Sequence, residues 1–297
     1  MAVSKDSVTV VIPTYREEEA IGAVLDELSE EGYRNILVVD GYSEDRTVEI
    51  ARSRGVEVIY QEGRGKADAV KTGIKYVKTP YLVVMDGDHS YDPRDIEKLL
   101  KYVDTHDEVI GVRDRKNISL LHRFGNRVIT KIFNTLFGTN LRDVCSGMYL
   151  LKTDIAKEID FESRGFGAEV EIAAHIASTG GRIGEADISY RKRLGESKLK
   201  YHHGFSILFS ALKLTLKYNP VFLFLAVSSL ALIPGLAIVG YVAYKLLFLG
   251  VKHHIWAIIG VMISGVGFIA LLLALVVLYI KRFEYRVLRY LKKEGFQ

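Results

Sequence analysis

The chain has 297 residues, of which 49% are hydrophobic and 26% are charged, and its formal net charge is +4. This length allows one sizeable domain and a smaller part, and so small a net charge does not favour a nucleic-acid-binding protein. Its single cysteine, Cys145, excludes an intrachain disulfide framework and a thiolate metal site; we expect an unreactive buried thiol there. The first ten residues are polar and then strand-like, unlike a signal peptide, so the N-terminal domain is expected in the cytosol.

Short apolar runs alternate with helical patterns over the first 112 residues. Continuous runs of Val, Ile and Leu, typical of strands covered on both faces, predict strands at residues 8–12, 36–40, 56–60, 81–86 and 108–112. Pro93 suits a first helical turn and Gly32 and Gly55 suit helix ends, and the spacing between the strands predicts helices at residues 17–32, 44–55, 66–77 and 93–104. This alternation predicts an α/β domain with a mostly parallel sheet.

An acidic pair follows the fourth predicted strand, in the segment Asp86-Gly87-Asp88. Alternate residues of an extended segment point the same way, so both carboxylates can face one ion, and Gly87 lets the backbone approach a ligand closely. Carboxylate oxygens suit Mg²⁺ or Mn²⁺, and ligands of such sheets bind beyond the carboxyl ends of the strands. A metal site is therefore predicted here, with a solvated turn as the alternative.

Polar residues also follow the first two predicted strands. Pro13, Thr14, Tyr15 and Glu17 come after the first strand, and Asp40 ends the second. A carboxylate at a strand end can accept hydrogen bonds from a base or a ribose, although Asp and Glu also cap helices at such positions. The segment at residues 63–66, GRGK, lacks the spacing of a Walker loop and the Ser or Thr after its lysine, which excludes that class of phosphate site.

Two stretches have the pattern of amphipathic helices. In residues 118–137 an apolar stripe runs beside a positive one; the apolar members are Ile118, Leu121, Phe124, Val128, Ile132 and Phe133, and the cations are Arg123, Arg127 and Lys131. A second apolar set lies farther along the chain, at Phe205, Leu208, Phe209 and Leu212. Such helices suit a membrane interface; an ordinary helix packed on the domain core is the alternative.

Two apolar runs, at residues 221–244 and 255–280, lie near the end of the chain. At ~1.5 Å per residue, each is long enough to cross a hydrocarbon core of ~30 Å. The link at 245–254 is short, and Lys and Arg flank the outer ends, so a transmembrane hairpin with both flanks cytosolic is predicted; a buried soluble hairpin is the alternative. Gly260, Gly265 and Gly267 suit close helix packing or a homo-oligomer. The predicted parts are therefore a domain at 1–200, an amphipathic juxtamembrane segment at 201–219, the spans at 220–280 and a basic tail at 281–297.

Nine motifs in family order give this chain a family resemblance. They are VVIPTYREEEAI (10–21), LVVDGYSEDRT (37–47), GRGKADAV (63–70), VVMDGDHSYDP (83–93), GVRD (111–114), HRFGNRV (122–128), RDVCSGMYLLK (142–152), GFGAEVEIAA (165–174) and YRKRLGESKL (190–199). With them the chain resembles the family 2 glycosyltransferases of the GT-A fold, specifically the dolichyl- or polyprenyl-phosphate sugar synthases such as dolichol phosphate mannose synthase.

The resemblance implies a nucleotide-sugar donor, a polyprenyl phosphate acceptor and Mg²⁺ or Mn²⁺ at Asp86 and Asp88. The donor-binding positions that it implies are Pro13, Tyr15, Glu17, Asp40, Lys66, Asp86 and Gly87. The positions implied for the acceptor phosphate are Arg113, Arg123, Arg193 and Lys198, and those implied for catalysis are Asp88, Asp143 and Arg193. Asp143 would position groups or act as a base, and Glu169 and Glu171 match an acidic helix where helix capping is an equal alternative.

The chain also departs from its relatives. Many relatives have two Asp where this chain has Asp40-Gly41, and mannose-transferring relatives often have a Gln where this chain has Ser90. Its single Trp, Trp256, lies inside an apolar run, so the motif of processive polysaccharide synthases is missing. The sequence therefore does not decide between mannose and glucose as the transferred sugar, and N-acetylglucosamine is the third candidate.

The expected reaction is one inverting displacement at the membrane. A phosphate monoester has its second pKa near ~6 and is largely dianionic at pH 7, so it can attack the anomeric carbon without a protein base, provided that Arg and Lys position the two anions. One alternative is transfer to a glycan hydroxyl on a lipid diphosphate, with Asp143 as the base. The other is a non-catalytic nucleotide-sugar-binding scaffold.

Overall fold

The computed structural model of this chain describes residues 3–161, 167–195, 213 and 216–293. The chain divides into two compact units, Met1–Ala211 and Leu212–Gln297. Lys198 and the predicted amphipathic stretch at 205–212 lie outside the described residues.

A seven-stranded sheet, with the order β3-β2-β1-β4-β6-β5-β7, organises the described part of the first unit. β6 is antiparallel to β4 and β5, and the other neighbours are parallel. The strands are β1 (Val8–Thr14), β2 (Ile36–Asp40), β3 (Glu57–Tyr60), β4 (Tyr81–Val84), β5 (Glu108–Arg113), β6 (Tyr149–Lys152) and β7 (Ile183–Ile188). The five predicted strands are thus confirmed, and the sequence did not predict β6 and β7.

Helices connect the strands. They are α1 (Ile21–Glu30), α2 (Thr47–Ser53), α3 (Lys66–Tyr76), α4 (Ile96–Leu100), α5 (Leu120–Phe137), α6 (Thr153–Glu158) and α7 (Ala168–Ser178). The predicted helix at 93–104 is shorter than expected, because Pro93–Asp95 forms a 3₁₀ turn before α4. α5 begins at the Ser119 cap, whose hydroxyl accepts from His122 N at 3.4 Å, and ends at Gly138 in the left-handed conformation.

The sheet is covered on both faces by apolar side chains. β1 shows why, since Val10 and Ile12 belong to one buried cluster, with α1, while Val11 belongs to the other, with α3. Successive residues of a strand point to opposite faces, so a continuous apolar run fills two cores. The polar ends of the strands are therefore left to form the site at the carboxyl edge.

The second unit contains two long helices, α8 (Pro220–Leu249) and α9 (His254–Lys293). Pro220–Leu249 and His254–Ile280 are each long and apolar enough to cross a membrane, and only 11% and 17% of their most apolar windows are buried, unlike the core helices of a soluble domain. By length and composition they suggest membrane association.

The two helices pack closely through small residues. A β-carbon at Gly267 would lie 2.5 Å from the backbone nitrogen of Leu232, and one at Gly260 would lie 3.0 Å from a Val239 methyl group. Because Gly267 meets residue 232 and Gly260 meets residue 239, the helices run antiparallel, as in a hairpin. A β-carbon at Gly265, by contrast, would meet nothing within 4 Å, so only two of the three predicted glycines serve this contact.

Candidate active site

The acidic loop leaves the sheet just after β4 and crosses directly against β1. A β-carbon at Gly87 would lie 3.0 Å from Thr14 Cγ2 and 3.2 Å from Ile12 Cγ2, which explains why the residue between the two aspartates is glycine. The Asp88 carboxylate is held by Ser90, whose backbone N–H and hydroxyl donate to Oδ1 at 3.0 and 2.5 Å. Ser90 therefore orients one of the two predicted metal ligands.

Lys66 joins the other aspartate to α7. The Lys66 ammonium lies 2.6 Å from Asp86 Oδ1 and 2.5 Å from Glu169 Oε1. A β-carbon at Gly147 would lie only 2.3 Å from Asp86 Oδ2 and 3.0 Å from Lys66 Nζ, so the backbone at this glycine closes one side of the cluster. Glu169 thus forms an ion pair with Lys66. The sequence predicted an acidic helix or a helix cap at Glu169, but not this ion pair.

Burial and charge act in opposite directions on this cluster. Burial lowers the pKa of Lys66, but Asp86 and Glu169 outweigh it and hold that pKa well above its ordinary value. Burial raises the pKa of Asp86, Lys66 lowers it, and Asp88 and Glu169 raise it again, leaving it above the ordinary value. The cluster therefore favours a cation beside Asp86.

Arg193 crosses over the acidic loop from the segment that follows β7. Its guanidinium lies 3.5 Å from Asp88 Oδ2 and 3.4 Å from Glu17 Oε1. Two backbone bonds join the same segments, because Leu194 N donates to Asp88 O at 3.0 Å and Arg191 N donates to Ser90 O at 2.8 Å. The structure thus brings three predicted site residues together: Glu17, Asp88 and Arg193.

A group of ion pairs between α1, the acidic loop and the segment after β7 holds the loop in place. The Glu27 carboxylate on α1 accepts from Arg191 Nη1 at 2.8 Å and lies 2.8 Å from His89 Nε2, while Arg191 Nη2 lies 2.7 Å from Asp92. His89 itself has a φ of +62°, which is unusual for a residue with a side chain. Burial raises the pKa of Glu27, but its hydrogen bonds to Arg191 and His89 outweigh burial and bring the pKa below its ordinary value. The carboxylate is therefore ionised and anchors the loop.

Arg113 and Asp143 form a bidentate ion pair. Arg113 Nε and Nη2 donate to the two carboxylate oxygens, both at 2.8 Å, and the guanidinium lies 5.5 Å from the centre of the Tyr190 ring. Burial lowers the pKa of Arg113, but the surrounding Tyr91, Asp143 and Tyr190 raise it above its ordinary value. Both oxygens of Asp143 are thus occupied by Arg113.

Asp40 lies at the end of β2 and is fully buried. Its carboxylate accepts from the Thr14 hydroxyl at 3.0 Å, and from the backbone N–H and hydroxyl of Ser43 at 2.7 Å each. Tyr15 beside it is exposed, and Pro13 pairs with Val39 in the sheet. Asp40 therefore ties the loop after β2 to β1, and its contact with a donor stays a prediction.

Arg123 lies on α5, and the hydrogen bonds of its side chain are to the segment before that helix and not to the acidic loop. Its guanidinium donates to Ile118 O at 2.8 Å and Lys116 O at 3.2 Å. The first half of α5 exposes a row of large apolar side chains: Leu120, Leu121, Phe124 and Val128. Phe133, a predicted member of the same apolar stripe, is buried and stacks on Phe137. The predicted amphipathic helix is thus observed, with its exposed apolar face confined to its first half.

The remaining site predictions concern a thiol and a metal. Burial raises the pKa of Cys145 to about 12, in agreement with an unreactive thiol. Among the described residues, no group of three or more His, Cys, Asp and Glu side chains is arranged to hold a metal ion. Asp86 and Asp88 alone still fit Mg²⁺ or Mn²⁺, because such ions often take one or two protein carboxylates and complete their shell with phosphates and water.

Comparison with known proteins identifies the family. The profile described as glycosyl transferase family 2 matches residues 9–160, which contain β1 without its first residue, β2 to β6 and the acidic loop. The chain belongs to glycosyl transferase family 2. This glycosyltransferase is also 32% identical over 263 residues to glycosyltransferase AglJ of Haloferax volcanii, covering 86% of this chain and 87% of AglJ.

A second relative of the glycosyltransferase is the dolichyl-phosphate hexose transferase of Haloferax volcanii, 36% identical over 201 residues, which are 65% of this chain and 87% of the relative. Among solved structures, glucosyl-3-phosphoglycerate synthase from Mycobacterium tuberculosis with uridine diphosphate has a TM-score of 0.60 at 19% identity, over 70% of this chain and 79% of that one. Its complex with Mn²⁺, uridine-diphosphate-glucose and phosphoglyceric acid has a TM-score of 0.56 at 19% identity, over 69% and 79%. This likeness establishes the GT-A fold.

Several contacts of the glycosyltransferase site were not predicted. Glu27 and Arg191 lie far apart in sequence, and Gly147 lies in the motif RDVCSGMYLLK (142–152), from which no role for it was predicted. A glycine just before an apolar strand can be recognised in the sequence, since it often marks a place where another group approaches the backbone closely. The pairing of Glu27 with Arg191 has no such local signal.

Proposed function

We propose that this glycosyltransferase moves a hexose from a nucleotide-sugar donor to dolichyl or polyprenyl phosphate, with inversion, at the cytosolic membrane face. The observation that carries the proposal is the acidic loop with cations on both sides, Lys66 at Asp86 and Arg193 at Asp88. Transfer between a diphosphate and a phosphate brings two anions together, and such a site needs fixed positive charge. The dolichyl-phosphate hexose transferase among its relatives supports the same acceptor class.

On the donor side, Asp86 and Asp88 would hold the metal ion. A bound Mg²⁺ or Mn²⁺ would neutralise charge on the departing nucleoside diphosphate. Lys66 is already placed at Asp86 and can share that work. Hydrogen bonds from Ser90 and from the backbone of the segment after β7 keep Asp88 in place. Little reorganisation of the site is therefore needed when negative charge develops on the departing diphosphate.

On the acceptor side, the lipid phosphate would attack the anomeric carbon directly. Arg193, which lies over the acidic loop, would contact the acceptor phosphate. Arg113, Arg123 and Lys198 are proposed as further contacts because they match positively charged positions of the family motifs. The exposed apolar row on α5, Leu120 to Val128, carries cations between its members. Such a face suits a bilayer interface, where lipid phosphates lie, and the apolar helices α8 and α9 suit an anchor.

Transfer to a glycan hydroxyl would need a general base, and Asp143 is the candidate. Its two oxygens are both engaged by Arg113 at 2.8 Å. A general base has to take the hydroxyl proton on one of these oxygens, where Arg113 already donates, so the geometry favours the phosphate acceptor.

The test uses the purified full chain in detergent with dolichyl phosphate and a panel of labelled GDP- and UDP-sugars. We expect a labelled lipid that forms only with divalent metal, and whose glycosyl phosphate has the inverted anomeric configuration by NMR. Transfer to a lipid-diphosphate glycan but not to dolichyl phosphate would contradict the proposal.

A further inference from the structure

Two tyrosines form an exposed stacked pair at the carboxyl edge of the sheet. The rings of Tyr42 and Tyr60 lie 5.2 Å apart between centroids with an interplanar angle of 12°. Their exposed fractions are 60% and 45%. Each ring uses one face for its partner, and much of the remaining aromatic surface is in contact with solvent. Flat aromatic surface in this position suits a planar ligand.

The backbone at Tyr42 is strained. Its φ is +63°, a left-handed conformation that glycine adopts freely and that a bulky side chain rarely does. A strained residue whose large side chain lies mostly in solvent contributes little to the core. Such outliers are often retained at ligand sites, so the position of this ring has to be explained by something besides packing.

The stacked pair borders the region predicted for the nucleoside. Tyr60 ends β3 and lies beside Asp40 in the sheet register, and Tyr42 follows Asp40 by two residues. Between them and Tyr15, position 41 has little room, since a β-carbon there would lie 3.4 Å from Tyr15 Cδ2 and 3.2 Å from Gln61 Oε1. Any larger residue at position 41 would therefore press on Tyr15 and Gln61, and glycine leaves the space between Asp40 and Tyr42 without a side chain.

We propose that the Tyr42–Tyr60 pair is the platform on which the nucleobase of the donor stacks. The proposal rests on the proposed function, because it requires a nucleotide-sugar donor. Stacking depends on the π-face that every base has, so the platform adds affinity for the nucleoside as a whole and larger affinity for the larger purine ring. The diphosphate would remain with the acidic loop, and the two tyrosines would not contact the reacting atoms.

The test separates the base from the phosphates. Isothermal titration of the full chain in detergent with Mn²⁺ would measure the Kd of GDP, UDP and inorganic pyrophosphate. Tyr42→Gly removes the ring and also relieves the backbone strain, so the variant should unfold at the wild-type temperature or above. We expect its Kd for the nucleotide that the wild type binds to rise roughly 10-fold, in line with the loss of one stacking contact, while the Kd of pyrophosphate is unchanged.

Three further variants serve as checks. Tyr60→Ala should weaken nucleotide binding like Tyr42→Gly, and Tyr42→Phe, which keeps the ring, should restore the affinity to within about twofold of the wild type. Tyr102→Ala is the matched control, since Tyr102 is also exposed and pairs with an aromatic ring, that of His106, at 5.9 Å; it should leave every Kd unchanged.

Three results would overturn the platform. They are an unchanged nucleotide Kd in Tyr42→Gly, an equal loss of pyrophosphate affinity, and an equal loss in Tyr102→Ala. A wild-type chain that binds neither GDP nor UDP would overturn the proposed function and the platform together. A wild-type chain that binds a nucleotide but does not glycosylate dolichyl phosphate would overturn the acceptor alone, and the Kd values would still decide the platform.

Discussion

Replacing Lys66 by Gln would test how the active site holds its charges. The ammonium lies between Asp86 and Glu169, and the exposed fractions of the three side chains are 19%, 27% and 12%. The amide of Gln cannot neutralise either carboxylate. The variant therefore leaves two partly buried acids facing each other, and the folded state has to protonate one of them or admit a cation.

The magnitude follows from the burial of the pair. Removing one partner of a buried ion pair destabilises a protein by roughly 3–5 kcal/mol, and we expect the lower end because water screens the partly exposed Asp86. For a unit of the size of Met1–Ala211, about 3 kcal/mol corresponds to a Tm lowered by roughly 6–12 °C. The control is Lys75→Gln, also on α3, whose ion pair with Glu62 is exposed and should change stability by at most about 1 kcal/mol.

The direction of the pH dependence can also be stated. Burial raises the pKa of Asp86 above its ordinary value, and Lys66 opposes this effect. Without Lys66 the folded-state pKa rises further, so the folded variant binds a proton that the unfolded chain does not hold. Protonation then favours the fold, and the loss of stability should be largest at high pH and shrink as the pH falls through that pKa.

The assay is thermal unfolding of the full chain in detergent, followed by circular dichroism with chelator or with excess Mn²⁺. A divalent ion bound to the freed carboxylates would stabilise the variant by about 2.7 kcal/mol at a concentration 100 times its Kd. Mn²⁺ should therefore recover most of the lost Tm in Lys66→Gln. If Lys66→Gln and Lys75→Gln unfold at the same temperature in chelator, our account of the buried cluster is wrong.

Other variants test the remaining parts of the site. Asp88→Asn should lower turnover by orders of magnitude with an unchanged circular dichroism spectrum, and chelator should stop the wild type; full activity in excess chelator would refute the metal site. Asp40→Ala should weaken nucleotide binding in calorimetry more than it raises the KM for lipid phosphate, because the loop at Ser43 loses its anchor; an equal donor affinity would refute this. Arg123→Ala should raise the KM for polyprenyl phosphate while donor affinity stays constant, and unchanged acceptor kinetics would remove Arg123 from the acceptor site. Gly267→Leu should destabilise the helical hairpin by roughly 1–3 kcal/mol through overpacking, measured as a lower unfolding temperature, whereas Gly265→Leu, at an open position, should not; equal effects would refute the packing.

The sheet could be predicted where the chain is regular. The strands β1 to β5 have continuous apolar runs, and those runs mark strands covered on both faces. β6 and β7 were missed for different reasons. β7 has the sequence IGEADI, with two acids and a glycine, so no local pattern marks it. β6 follows the irregular segment before Gly147, and only its antiparallel pairing with β4 and β5 makes it a strand.

The residue types of the active site could be predicted from their places at strand ends, but their partners could not. Asp86 and Asp88 follow β4 as expected, and the contacts of Lys66 with Glu169 join residues that lie far apart in the chain. Asp40 ends β2 as predicted, but its bonds to Thr14 and Ser43 could not be read from the sequence, and its contact with a donor stays a prediction. Hydrogen-bond partners of this kind depend on the tertiary fold, and spacing along the sequence does not contain them.

The insertion of β6 between β4 and β5 has a consequence for synthesis on the ribosome. The strands β1 to β4 can pair as soon as they emerge, but β5 pairs only with β6 and β7, which are both made later. Until Tyr149–Lys152 has been added, the nascent chain carries an unpaired apolar strand and an open edge on β4. Open edges invite pairing with other chains, so a product ending before residue 149 should aggregate instead of forming a smaller stable domain.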